Sequence, residues 1–371
     1  MNQDPEMIGF SNENLDRLFK FLESTHKSNH LMGAALQVAR GDVAIEPFCV
    51  GRRRLADEDA VVQADTIFLV ASITKPIVVA AIVGLIERGE LSLDDHVANL
   101  IPEFEAEGKA GVKIRHLMTH TSGLPDHIPE NKSYREAHRP LSDFVARICE
   151  LPLSFEPGTK LSYQSSGIAI LGEIIQRITG EELRDYLKEM FFSPLGLNDT
   201  SLGIQKRSER ESDVVIAGEG LSYSDAGTDS DWNSDYWRGF GAPWGGLLTT
   251  VEEMTRLMML FRNGGVIDDE RILSQAAVRA MLQDHTSNLP CLSPTNQISR
   301  SWGLGWCLGG HKSSVFGDLT SNHTFGHSGA TGTLAWCDPD LDVTCVIFTN
   351  DPDNAEWIRP RISNIVMGAL L

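Results

Sequence analysis

From Phe10 and Ser11 onward, Leu15, Leu18, Phe19 and Leu22 recur at i, i+3, i+4 and i+7, which predicts an amphipathic helix capped near Ser11. The next segments, "LMGAALQVAR", "GD" and "VAIEPFCVG", read as a strand, a tight turn and a strand. A strand-like "TIFLV" then leads into a helix from Ser72 to about Arg88. Its apolar residues mark it as buried, and Gly89 stops it.

Between about residues 90 and 295 the pattern is mostly helix and loop, with "LSDFVARICEL", "GIAILGEIIQRITG", "EELRDYLKEMFF" and "TVEEMTRLMMLFRNGG" as the clearest helical runs. Thr250 with Glu253 predicts a reciprocal capping box for the last of these. After Ser301 the pattern changes to short strands, "WGLGWCLGG", "HTFGHSG", "GTLAWCDP" and "DVTCVIFTN", followed by a helix from about Asn354. Strands at both ends with helices between them imply one α/β layer built from both termini, with a mostly helical domain inserted.

Composition changes this picture little. The 371 residues suffice for a large core, in one big domain or two subdomains. The formal charge of −19 argues against nucleic acid or an anionic membrane as the main partner. "MNQDPEMIGF" lacks the basic start and apolar core of a signal peptide, so the expected location is cytoplasmic. Six cysteines, at 49, 149, 291, 307, 337 and 345, are widely spaced with no C-x-x-C, and read as buried thiols. Cys345 in "VTCVIF" reads as a strand core residue.

Ser72 and Lys75 stand three residues apart at the start of the apolar helix. On a helix that spacing brings Cβ atoms to about 5–6 Å, so the amine can reach the hydroxyl and activate it. Spacing alone proves little, because Ser24 and Lys27 repeat it at the polar end of the first helix. Ser72 differs in lying where backbone N–H groups of a helix start can support developing negative charge. An unperturbed lysine is protonated at neutral pH, so burial or a second proton carrier is needed. Tyr163, in the Ser/Gly-rich turn of "GTKLSYQSSGIAILGEI", is the best candidate for that carrier.

Rival chemistries fit less well. "GHSGA", residues 326–330, nearly spells the G-x-S-x-G elbow, but no histidine follows Ser328. His116 and His120 could share a helix face, yet "HLMTH" lacks the glutamate of a zinc-peptidase helix. His323 and His327, four apart on a predicted strand, lie about 13 Å from one another and cannot chelate one ion. There is no P-loop or dinucleotide fingerprint, and no metal or organic cofactor is expected.

Taken in order, Ser72-x-x-Lys75, "HLMTHTSGLP", "FEPGTKLSYQSSG", "GGLLTTVEEMTRLM" and "GHSGATGTLAWCDPD" make the chain resemble the serine β-lactamase and penicillin-binding protein family. The likeness runs from about residue 10 to 350 and is closest in character to the class C and class VIII carboxylesterase branch. It implies an antiparallel sheet flanked by N- and C-terminal helices, with residues 1–75 and 296–371 in one α/β domain, residues 76–295 in a mostly helical one, and the site between them. It further implies that Ser72 is the nucleophile, that Lys75 takes part in removing its proton, and that Tyr163 is general base and then protonates the leaving group. His327, Ser328 and Gly329 would line the substrate edge, and the N–H groups of Ser72 and Ala330 would form the oxyanion hole.

Two departures matter. The second family motif ends in asparagine, where this chain has Ser165, a shorter group with a single hydroxyl. The third motif often begins with lysine, where this chain has His327, which holds a carboxylate less firmly. Both tilt the expectation from β-lactams to short-chain carboxylic esters. The tryptophan-rich "DWNSDYWRGFGAPWGG" offers an apolar wall for an acyl or alcohol group, with Trp244 as the expected contact. The expected activity is therefore serine carboxylesterase action on a small-molecule ester or amide. β-Lactamase or D-amino-acid peptidase action, and a catalytically silent scaffold, remain as alternatives.

Overall fold

The computed structural model describes residues 4–204, 206–216, 228–292, 301–309 and 314–371. In chain order its strands are β1 (Gly33–Arg40), β2 (Val43–Ala44), β3 (Phe48–Gly51), β4 (Phe68–Leu69), β5 (Ser201–Leu202), β6 (Leu247–Thr249), β7 (Val266–Ile267), β8 (Glu270–Arg271), β9 (Cys307–Leu308), β10 (Phe325–Ser328), β11 (Leu334–Asp338) and β12 (Val343–Thr349). A seven-stranded sheet runs β2-β1-β12-β11-β10-β9, with β3 also paired to β1. All its pairings are antiparallel. It thus draws its strands from both ends of the chain, as the alternation of elements implied. The division expected at residues 295 and 296 lies outside the described residues.

Side chains alternate across this sheet because successive residues of a strand point to opposite faces. Leu36, Val38, Trp336, Cys345 and Ile347 join Leu15, Leu18 and Leu22 of the helix Asn12–Lys27, and Ile358, Ile362 and Val366 of the helix Ala355–Met367, in one cluster. Ala35, Ala39, Cys337, Val346 and Phe348 face the larger core on the other side. Burial on both faces explains why "VTCVIFT" reads as a continuous apolar run.

That larger core is organised around the helix Thr74–Glu87, whose residues from Thr74 to Leu85 are all buried. It packs on the helices Ser166–Thr179 and Gln275–Met281. A helix apolar on every side belongs inside, and the stretch beginning at Ser72 is therefore central to the molecule. No helix among the described residues is long and apolar enough to cross a membrane.

Three local expectations are corrected. "VAIEPFCVG" is two strands, because Pro47 has no N–H to give a ladder. "WGLGWCLGG" keeps only β9; Gly305, at φ +77°, crosses helix 74–87 so closely that a Cβ would stand 2.8 Å from that of Val79, and Gly310 lies outside the described residues. The Thr250 hydroxyl does accept the Glu253 N–H at 3.2 Å. The Glu253 carboxylate instead accepts the Thr200 hydroxyl at 2.6 Å and the Asp199 N–H at 3.0 Å, so half of the capping box is replaced by a tertiary tie.

Candidate active site

Ser72 lies in a single 3-10 turn, Ala71–Ile73, between β4 and helix 74–87. Ala71 before it takes φ +47°, a conformation costly for a residue with a Cβ and often kept where geometry matters. The turn is held from several directions. Val70 N–H donates to the Leu247 carbonyl at 3.0 Å, and the Thr74 hydroxyl donates to the Ala71 carbonyl at 2.6 Å. From the β10–β11 connection, the Thr331 and Thr333 hydroxyls donate to the carbonyls of Leu69 and Val70 at 2.6 and 2.9 Å.

Lys75 projects back beside Ser72, its Nζ donating to Ser72 Oγ at 2.9 Å and to the Trp244 carbonyl at 2.9 Å. The amine lies 4.8 Å from the centre of the Tyr163 ring. Only 1% of Lys75 is exposed. Burial lowers its pKa to about 7, with the Asp126 carboxylate pulling the other way. Near neutral pH a large share of this amine is therefore unprotonated and able to accept a proton. The Ser24 and Lys27 pair behaves differently: Ser24 Oγ donates to the Phe21 carbonyl, and Lys27 pairs with Glu23 in solvent.

Tyr163, just ahead of helix 166–179, stands among three rings: His120 at 4.6 Å, Trp302 at 5.7 Å and His327 at 6.0 Å between centres. His327 is buried, and its Nδ1 meets the Ser328 carbonyl at 2.7 Å, which places the ring proton on Nδ1. Burial first, and the nearby Lys75 second, push its pKa down to about 3. His120 is fully buried and held neutral by the same two causes in the same order. Its Nδ1 accepts the Gln164 N–H at 3.3 Å. The Nε2 atoms of both rings have no hydrogen-bond partner among the described residues.

His120 and Trp302 were not among the site residues drawn from the sequence, although His120 falls inside the "HLMTHTSGLP" motif. His116 and His120 do not share a helix face: the helix ends at Met118 and His120 takes φ +59°. Among the described residues no group of three His, Cys, Asp or Glu side chains could hold a metal. The six cysteines are free thiols.

Ser165 stands at the N-cap position of helix 166–179 without a side-chain capping bond, and its N–H donates to Asp126 Oδ1 at 2.7 Å. Ser166 adds its N–H and hydroxyl to the Asp126 carbonyl, each at 3.0 Å. Asp126, a third residue not drawn from the sequence, thus ties the Tyr163 turn to the loop before it. A narrow crevice of about 10 Å³, room for about one water, lies beside Asp126, Ser165 and Trp244, bordered by Phe144 and Ile148. Trp244, only 8% exposed, packs its ring on Phe240 and Phe144, and its carbonyl accepts from Lys75.

Ser328 ends β10, and Gly329 follows where a Cβ would stand 2.1 Å from Thr333 Oγ1 and 2.2 Å from the Val70 carbonyl. Ala330 is exposed beyond it. The β10–β11 turn therefore meets the Ser72 turn directly.

An antiparallel sheet covered by helices, with a half-buried Ser72 against a buried Lys75 at the start of its central helix, defines a mixed α/β class with a serine–lysine pair. The chain belongs to the Beta-lactamase family, whose sequence pattern matches residues 19–362. It is 29% identical to penicillin-binding protein 4 of Amycolatopsis lactamdurans over 332 residues, covering 87% of this chain and 80% of that one. In fold it is similar to a penicillin-binding protein homologue from Caulobacter crescentus, with TM-score 0.80, 22% identity and coverage of 96% and 97% of the two chains. A family VIII carboxylesterase has TM-score 0.78 and 20% identity, again with 96% and 97% covered.

Proposed function

We propose that this protein is a serine hydrolase that cleaves short-chain carboxylic esters through an acyl-enzyme on Ser72. The observation that carries this reading is the 2.9 Å contact between Ser72 Oγ and a buried Lys75 whose pKa lies near 7. Neutral Lys75 takes the Ser72 proton as Oγ attacks the ester carbonyl carbon. The oxyanion that forms is received by the N–H groups of Ser72 and Ala330. As the tetrahedral intermediate collapses, the alcohol leaves with a proton passed from Lys75 by way of the Tyr163 hydroxyl. Water then attacks the acyl-enzyme by the same proton route in reverse. The family resemblance gives Tyr163 the first proton; direct contact with Lys75 supports the amine as first acceptor and Tyr163 as relay.

Esters are favoured over β-lactams or peptides with a free carboxylate because His327 and His120 are neutral at physiological pH. With Lys75 occupied by Ser72, these site residues provide no permanent cation for a substrate carboxylate. His327, Ser328 and Gly329 then serve as the substrate edge, and Ser165 and Trp244 border a crevice of about 10 Å³ that would have to widen to take an acyl group. The division into an α/β part and a mostly helical part, with the cleft between them, belongs to the same proposal. A peptidase reading draws on the name of a relative from Escherichia coli K12, a putative D-alanyl-D-alanine carboxypeptidase 27% identical over 296 residues.

A short-chain nitrophenyl ester and a chromogenic cephalosporin, offered to wild type and Ser72→Ala, separate these readings. Ester turnover that disappears in Ser72→Ala is expected. Ester turnover that survives the substitution would overturn the mechanism, and faster cephalosporin turnover would reverse the substrate class. Inactivity on both, with no fluorophosphonate labelling of Ser72, would indicate a silent scaffold.

A further inference from the structure

We infer that Arg359 is a positioning residue for the oxyanion hole, acting from behind the Gly329–Ala330 peptide. The inference rests on the proposed role of the Ala330 N–H as an oxyanion donor. The helix Ala355–Met367 passes behind the β10–β11 turn, and Arg359 Nη1 donates to two carbonyls of that turn, Gly329 at 3.1 Å and Thr333 at 3.0 Å. Arg359 Nε donates to the Ala355 carbonyl at 3.1 Å, which fixes the guanidinium plane against its own helix. Glu356 is the acidic group acting on it.

The carbonyl of Gly329 and the N–H of Ala330 belong to one peptide group, and no peptide bond described here is cis. In a trans peptide these two groups point in opposite directions. A cation that holds the carbonyl from behind therefore aims the N–H away from itself.

The same contact has an electronic effect. A hydrogen bond from an ionised donor is roughly twice as strong as a neutral one, and it polarises the amide it touches, making its N–H a better donor. Thr331 and Thr333 already tie the turn to the carbonyls of Leu69 and Val70, which fixes the distance between the turn and Ser72. Those ties do not fix the rotation of the Gly329–Ala330 peptide, which glycine leaves freer than any other residue would. The Gly332 N–H reaches the Gly329 carbonyl at 3.1 Å, but it comes from within the turn and moves with it. Arg359 supplies the fixed external reference.

The test uses the purified full chain as wild type, Arg359→Gln, Arg359→Lys and Ser72→Ala. Three quantities are read: kcat and KM on a short-chain nitrophenyl ester, affinity for an alkyl boronic acid that forms a tetrahedral adduct on serine, and Tm. Arg359→Gln is expected to lower kcat by about 10- to 100-fold, part of the loss seen when one oxyanion donor is removed, with KM within about twofold. Boronate affinity should fall by a similar factor, and Arg359→Lys, which keeps the charge, should recover part of both. An unchanged kcat, a kcat loss with boronate affinity intact, or a loss that vanishes after correction for folded protein would each overturn the inference. If Arg359→Gln does not fold, Arg359→Lys carries the same comparison, with a parallel drop in kcat and boronate affinity expected. An active Ser72→Ala would instead overturn the proposed function itself, whatever Arg359 does.

Discussion

The amine of Lys75 lies 4.8 Å from the centre of the Tyr163 ring, so the aromatic face and the phenol of one residue act on the lysine in separable ways. The face stabilises the ammonium form through its quadrupole, whereas in the proposed mechanism the hydroxyl carries protons. Tyr163→Phe keeps the face and is expected to lower kcat by about 10²–10⁴-fold, the usual range for losing a proton carrier, with fluorophosphonate labelling of Ser72 slowed but present. Tyr163→Ala should lose the ring as well and move the acid limb of the pH profile to lower pH. Equal kcat in wild type and Tyr163→Phe would remove the tyrosine from the proton path.

The pH dependence follows from Lys75. Its pKa is lowered to about 7 by burial, and in the proposed mechanism it is the neutral form that takes the Ser72 proton. Ester kcat/KM is therefore expected to rise with pH through about 7 and to level off above. Asp126 opposes the burial effect by favouring the ammonium, so Asp126→Asn removes that opposition and should shift the limb to lower pH. Asparagine can still accept the Ser165 N–H, so the turn is preserved. A limb that stays in place or moves upward would show that Asp126 does not act on the lysine.

The parts of the site legible in the sequence were those written in short spacings. Ser72 and Lys75 declare themselves three residues apart, and the contrast with Ser24 and Lys27 lay in their apolar context. Tyr163 was legible from its turn. The Trp244 carbonyl that holds Lys75 was not, because a main-chain acceptor leaves no mark on residue type. His120, Tyr163, Trp302 and His327 come from four distant segments, and only the folded chain shows that their rings meet. For the fold, the two-faced burial of β12 was visible in its apolar run, and Pro47 could have marked the break between β2 and β3. The diversion of Glu253 to Thr200 was invisible, since a tertiary partner overrode a sound local rule.

A buried amine should cost stability. Lys75 has a folded pKa near 7, below the 10.5 of an exposed lysine, so between those values the unfolded chain binds more protons than the folded one. Stability therefore rises with pH through that window, and the cost of burying the charge is fully present below about 7. Lys75→Met fills similar space without a charge. It is expected to be inactive on esters yet more stable by about 1–2 kcal/mol at pH 6, a gain typical of relieving a strained functional site. The gain should shrink as pH rises toward 10, and thermal unfolding at pH 6 and 9 measures both. A Lys75→Met protein less stable than wild type at pH 6 would mean that the contacts to Ser72 and Trp244 outweigh desolvation.

Gly329 tests whether the β10–β11 turn and the Ser72 turn form one unit. A Cβ there would meet Thr333 Oγ1 at 2.1 Å and the Val70 carbonyl at 2.2 Å. The threonine hydroxyl can rotate away, although at the loss of its own bond to Val70. The Val70 carbonyl is main chain, two residues before Ser72, and it can retreat only by moving the nucleophile turn. Gly329→Ala is therefore expected to lose most ester activity while costing about 1–3 kcal/mol of stability, the range for overpacking a tight site. Because both turns move together, boronate affinity and fluorophosphonate labelling should fall with kcat. Full activity with unchanged stability would mean that the two turns separate freely, and that the Ala330 N–H is not held in register with Ser72.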